Sequence, residues 1–295
     1  MLKVIIDFDG TLTAEEEQAA LLREAMLTTL AEEIIHVPRA QLAADYQTTR
    51  ARLLQNPQQY HWDVNGLIAS FCDEGAFILN TTTVQTLLKE NAAYFQAVAA
   101  AFPNPEYDPV IDCVNALFHR HTAELPLIFR PSAKTVLTEL VQHPQQQPII
   151  LTNSLGNKVA RHLAALGFTN EVAILGDTRQ YDMDPNWDQT FAHPTLGDVQ
   201  IWPVAGQYPI DLRRPAYYAA LKKAAADGSH LVVVADTLSL PGAMPLMMGI
   251  PFLLTRTTYT PDWCLQVVEA HPLGVVLDDL ADLPAVLDHL PIAQV

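Results

Sequence analysis

Positive charge is scarce in this chain. Its 295 residues carry 17 Lys and Arg against 33 Asp and Glu, a formal net charge of −16. A nucleic-acid backbone or an anionic membrane surface finds no broad positive field here, so neither is an expected partner. Cysteine is sparse as well. Cys72, Cys113 and Cys264 lie scattered, without CxxC spacing or a secreted-type framework, which reads as buried free thiols in a reducing compartment. Also missing are 18 uninterrupted apolar residues and a basic leader ahead of a cleavage site. The expectation is a soluble, cytoplasmic protein, with monomer and homodimer both open.

What is present suits a folded protein. Apolar residues make up 49% of the chain and charged residues 17%, without the apolar poverty of disordered sequences. This length buries roughly three quarters of the unfolded surface and predicts about two domains.

The chain opens on LKVII (residues 2–6), short and continuously apolar, as a strand buried on both faces of a parallel sheet would be. It ends in two aspartates, Asp7 and Asp9, followed by Gly10 and Thr11. Thr13 with Glu16 then reads as a capping box, and Leu22, Met26, Leu30 and Ile34 fall at helical spacing. Helical texture continues to about Leu125, with no clear alternating strands, so residues 14–125 form a helical block of their own.

From 126 onward strands and helices alternate. QPIILTNS, EVAIL, HLVVVAD, IPFLLTR and GVVL read as strands, with helices between them. A long, proline-bearing segment at about 176–212 reads as an insertion with room for a small hairpin. Such alternation predicts an α/β, Rossmann-like fold: a parallel sheet covered by helices on both faces, built from residues 1–13 and 126–295.

In open parallel sheets the ligand crevice lies beyond the carboxyl ends of the strands. Three such ends carry chemistry: Asp7-Phe8-Asp9-Gly10-Thr11, Thr152-Asn153-Ser154 and Asp236-Thr237. In this order and placement, DFDGTLT, LTNS, the Arg-Pro start of a later helix and VVVADT resemble the four motifs of the haloacid dehalogenase (HAD) superfamily. The resemblance spans the whole core and implies a phosphatase-like branch, with a helical cap domain at 14–125 between the first two motifs.

The spacing also has a chemical logic. A carboxylate at Asp7 can attack phosphorus and split one hard displacement into two easier ones. Asp9, two residues on in an extended chain, faces the same side and can protonate the leaving oxygen. Two carboxylates beside an anionic phosphate call for a cation, and Mg²⁺ suits oxygen ligands. The resemblance assigns its ligands to the Asp7 side chain, the Asp9 carbonyl and Asp236. Gly10 permits close backbone approach and leaves N–H groups to face phosphoryl oxygens, while Thr11, Thr152 and Asn153 add donors.

The sequence departs from the family pattern twice. Arg214, before Pro215, stands where the superfamily usually has a lysine, with Lys158 and Arg213 as alternatives. Where many members carry a second acid after Asp236, this chain has Leu240 and Pro241. The resulting expectation is Mg²⁺-dependent hydrolysis of a small phosphorylated metabolite. The alternatives are a catalytically weak phosphate-binding or regulatory protein, and a dehalogenase-type hydrolase. His119 and His121 read as a solvated helix end, and Tyr181, Trp187 and Trp202 as packing of the insertion.

Overall fold

The structure, a computed structural model, describes residues 1–290 except 105 and 205. In chain order, β1 (Leu2–Ile6) is followed by α1 (Glu15–Thr29), α2 (Arg39–Leu53), the hairpin strands β2 (His61–Val64) and β3 (Leu67–Phe71), α3 (Ala76–Glu90), α4 (Ala92–Ala101) and α5 (Pro109–Glu124). Next come α6 (Ala133–Gln142), β4 (Gln146–Leu151), α7 (Gly156–Leu166) and β5 (Ala173–Leu175). The hairpins β6 (Phe191–His193) with β7 (Gly197–Val199), and β8 (Ile201–Val204) with β9 (Tyr208–Asp211), lead to α8 (Pro215–Ala224). The chain continues through β10 (His230–Ala235), α9 (Ala243–Met247), β11 (Phe252–Thr255), α10 (Asp262–Ala270), β12 (Gly274–Leu277) and α11 (Leu283–His289).

Two compact units result. Residues 1–14, 63–70 and 129 onward make one; residues 15–62 and 71–128 make the other. The first is an α/β unit around a six-stranded sheet in the order β12-β11-β10-β1-β4-β5, and every pairing in it is parallel. β1 has a partner on each edge, and the burial of successive residues covers both its faces, which its continuously apolar sequence matches. Val4, Ile5 and Ile6 are fully buried.

Register decides where the chemistry goes. Ile6 pairs with Val234 on one side and Ile150 on the other. The three strands therefore end level with one another, and Asp7 extends the ladder by donating its N–H to the Val234 carbonyl at 2.9 Å.

The second unit is helical. Leu22, Met26 and Leu30 join Leu42, Tyr46 and Leu117 in one buried cluster, as their spacing predicts. Polar groups inside it are paired: Tyr46 donates its hydroxyl to Asn80 Oδ1 and Asn80 Nδ2 donates to the Ala19 carbonyl, both at 2.6 Å. Asp108 caps α5 by accepting the Val110 and Ile111 N–H groups, with Pro109 opening the helix.

Several expectations need correction. The segment expected to lack strands contains the β2–β3 hairpin, turned by Asn65 and Gly66 at φ 54° and 76°. Asn-Gly with both residues left-handed is a favoured hairpin turn, so the signal was present. The tip of this hairpin, residues 63–70, groups with the α/β unit. Thr13 closes no capping box: its hydroxyl accepts the Gly10 N–H at 3.1 Å. His121 is buried rather than solvated, and its Nε2 lies 3.0 Å from the Thr29 hydroxyl; His119 is exposed.

The segment after β5 carries two hairpins instead of one. Trp187 packs against Phe191 and Tyr218, and Trp202 against His271. All three cysteines are free and buried. Burial pushes the Cys72 and Cys113 thiols up to about 12. Among the described residues, no helix is long and apolar enough to cross a membrane.

Candidate active site

Just past β1, the side chains of Asp7 and Asp9 flank Phe8, which is wholly buried. The Phe8 ring sits edge-on to Phe129 at 5.9 Å and stacks on His162 at 6.5 Å. Phe8 thus anchors the segment in the core, and the chain leaves the extended conformation there, bending at Phe8 and turning through Asp9 and Gly10. The chain then turns, with Leu12 and Thr13 both donating N–H groups to the Phe8 carbonyl.

Gly10 holds the turn at φ +79°. A Cβ built there would stand 2.1 Å from Asp236 Oδ2, so only glycine fits between this backbone and that carboxylate. Thr11, fully buried, points its hydroxyl at Asp236 Oδ1, 3.4 Å away. The Gly10 N–H, expected to be open for a ligand, is instead taken by Thr13. The Gly10 carbonyl accepts from Arg130 Nε and Nη2 at 3.1 and 2.6 Å, a two-pronged clamp on the loop.

After β4, Thr152 Oγ1 accepts the Ser154 N–H at 3.1 Å, which leaves its own hydroxyl proton to donate. Ser154 Oγ donates to Asp9 Oδ2 at 2.6 Å. The Asn153 side-chain oxygen accepts the Gln180 N–H at 2.7 Å. Asp9, Thr152 and Ser154 therefore form one connected group.

Arg214 is only 1% exposed. Its guanidinium donates to the carbonyls of Asp211 (3.2 Å), Gln180 (3.3 Å) and Ala69 (2.6 Å). Asn153 and Arg214 thus meet through Gln180, and much of the arginine's donor capacity goes to main chain. Arg213 does not reach inward: it grips the Asp211 carboxylate through Nε and Nη2 at 3.0 and 2.5 Å.

Beyond β10, in place of a second acid, hydroxyls tie down the backbone. Thr237 donates to the Leu240 carbonyl, and Tyr217 to the Pro241 carbonyl at 3.1 Å. Burial raises the Tyr217 phenol well above its ordinary range, Asp7 adds to this, and Arg214 opposes it. The phenol is a lasting donor, and it feels both the first-strand aspartate and the buried arginine.

His162, on α7, escaped sequence reasoning. Burial foremost, then Lys158 and Arg161, push its imidazole below the ordinary range, while Asp9 pulls the other way. Lys158, one turn away on the same helix, stands near enough to His162 to act on its charge. Arg130 also escaped notice, because an arginine before a proline at a helix start carries no sequence signal for a clamp on a loop 120 residues upstream.

No family model and no curated protein matches this chain. Among solved structures, a magnesium-bound Bacillus subtilis protein, YfnB, described as a HAD-hydrolase, aligns over 97% of this chain and 98% of its own, at 16% identity and a TM-score of 0.53. This chain has the HAD hydrolase fold. A 2-haloacid dehalogenase from Pseudomonas syringae pv. Tomato aligns over 98% of both chains at 18% identity, with a TM-score of 0.45. The fold assignment rests on the first of these. In HAD-fold terms, the four sequence motifs of this chain follow β1 and β4, open α8 and follow β10. The α/β class expected from strand–helix alternation is the one found.

Proposed function

We propose that this HAD-fold chain is a phosphomonoester hydrolase acting on a small phosphorylated metabolite, with Asp7 as nucleophile and Asp9 as acid and base. The observation that carries the reading is the convergence at the level ends of β1, β4 and β10: Asp9 bonded to Ser154, Asp7 tied by its N–H to the Val234 carbonyl, and Asp236 pressed against Gly10.

The Asp7 carboxylate attacks phosphorus while Asp9 gives its proton to the leaving ester oxygen. Asp9 then takes a proton from the water that frees Asp7. Thr152 retains a hydroxyl proton for phosphoryl oxygens, whereas the Thr11 hydroxyl goes to Asp236 and the Asn153 side-chain oxygen to the Gln180 N–H. Arg214 contributes positive charge from behind main-chain carbonyls more than a direct grip.

Among the described residues no three His, Cys, Asp or Glu side chains cluster as a metal site. Asp7, Asp236 and the Asp9 carbonyl are all hard oxygen donors, and Asp236, only 6% exposed, sits against the Asp7–Gly10 loop, so the residues fit Mg²⁺. When bound, the ion would offset the charge between the carboxylates and the phosphoryl group.

The helical unit, inserted between the first two motifs in sequence, would serve as the cap that sets substrate choice. The test of this reading is steady phosphate release from an aryl phosphate. It should require Mg²⁺ and vanish in Asp7→Asn; activity that survives chelation or that substitution contradicts it.

A second reading has its own support. The commitment of Arg214 to carbonyls and the absence of an acid near Leu240 favour a weakly catalytic phosphate-binding protein. No turnover across a metabolite panel, with thermal stabilisation by phosphorylated compounds, decides for it. Carbon–halogen hydrolysis would use Asp7 but has no role for Asp9 as acid.

A further inference from the structure

Ser154 is held more firmly than its place in a loop after β4 requires. Its N–H donates to Thr152 Oγ1 at 3.1 Å, and its carbonyl accepts the Asp177 N–H at 2.9 Å. Directly behind it, Gly176 lies so close to Gly156 that a Cβ on Gly176 would stand 2.3 Å from the Gly156 nitrogen and 2.9 Å from the Ser154 carbonyl oxygen. Backbone is thus packed on backbone, with no side chain able to intervene. The Ser154 Cα has little freedom, and its hydroxyl is spent on one acceptor, Asp9 Oδ2, at 2.6 Å. That length is typical of a hydroxyl donating to a carboxylate.

A carboxyl that must deliver a proton to a leaving oxygen needs one oxygen to carry the proton and the group to face the right way. A fixed donor on Oδ2 supplies both conditions: it pins the side-chain torsion and assigns the reactive role to Oδ1. We propose that Ser154 is a positioning residue for the acid step, its hydroxyl holding Asp9 by Oδ2 so that Oδ1 meets the leaving oxygen. The inference rests on the hydrolase reading above. In the step concerned, the Asp7 oxygen–phosphorus bond forms as the phosphorus–ester oxygen bond breaks. The proton on Asp9 Oδ1 passes to that ester oxygen, and Ser154 keeps its own proton throughout.

The leaving group supplies the test. An alkyl alcohol departs only with a proton, whereas an acidic phenol leaves as its anion. Ser154→Ala, compared with wild type, should lose kcat/KM on an alkyl phosphate at least tenfold more than on a nitrophenyl phosphate, and Ser154→Thr, which keeps a hydroxyl, should restore most of the difference. Equal losses on both substrates, or none, overturn the proposal and leave the hydrolase reading standing. Failure of the wild type to hydrolyse either ester sinks the hydrolase reading instead. Crystal structures of wild type and Ser154→Ala give a readout independent of turnover. The Asp9 side chain should leave its wild-type rotamer in the variant; an unchanged rotamer overturns the proposal.

Discussion

Gly10 and Asp236 are in contact so close that the smallest side chain would break it: a Cβ on Gly10 would overlap Asp236 Oδ2 at 2.1 Å and Cγ at 2.5 Å. The pair joins the ends of two neighbouring strands, β1 and β10, and fixes how far apart their carboxylates stand. Gly10→Ala must move Asp236 or the loop and must place a side chain at φ +79°. The expected cost is about 1–3 kcal/mol of stability, read from urea unfolding, with loss of any phosphatase activity well beyond what that destabilisation explains.

Arg214 is expected to act first on stability. Replacing it with methionine leaves the carbonyls of Asp211, Gln180 and Ala69 without their buried donor. Each unsatisfied group costs about 1–3 kcal/mol, so Arg214→Met should destabilise the protein by several such increments or prevent folding. Arg214→Lys, with a single ammonium and no planar fork, cannot serve all three carbonyls and should lose about 2 kcal/mol or more. Hydrogen exchange should quicken in residues 63–70, since Ala69 belongs to that hairpin tip. Unchanged stability in the lysine variant would return Arg214 to a purely ligand-facing role.

These contacts mark where sequence reading succeeds and where it stops. LKVII, PIIL and HLVVVA announced buried parallel strands because a strand covered on both faces needs no polar alternation. Their ends were therefore placeable, and with them Asp7, Asp9, Thr152 and Asp236. The β2–β3 hairpin was missed because His61–Val64 is largely exposed, so its apolar alternation is weak and only Asn65-Gly66 betrayed it. Ser154 and Asp9 lie 145 residues apart, and only the pairing of β1 with β4 brings them within 2.6 Å. The burial of Arg214 was equally invisible, because a charged residue at a helix start looks solvated until the carbonyls around it are known.

Acid should weaken the fold through His271. Burial first, and then His193, hold its imidazole below the ordinary value, and its Nδ1 accepts the Leu273 N–H at 3.2 Å. The native state thus prefers the neutral ring. Because the folded value lies below the unfolded one, this contribution is complete above about pH 6.5 and is lost as pH falls through the folded value. Urea midpoints taken at pH 7.5 and pH 5 should fall less in His271→Gln than in wild type; an identical fall in both contradicts the assignment.

Chelation should separate the metal from the fold. If Asp7, the Asp9 carbonyl and Asp236 hold Mg²⁺, adding it should raise the melting temperature of wild type and do so less in Asp236→Asn. A shift of the same size in both proteins removes Asp236 from the ligand set.

The most direct measurement concerns the covalent bond proposed on Asp7. During turnover of an aryl phosphate with Mg²⁺, the enzyme can be quenched and treated with borohydride, which reduces an acyl phosphate to the alcohol, and its peptides weighed. An aspartyl-phosphate on Asp7 predicts conversion of residue 7, and of no other carboxylate, to homoserine, and no conversion when substrate is withheld. Turnover with residue 7 unmodified, or modification at a different carboxylate, would contradict it.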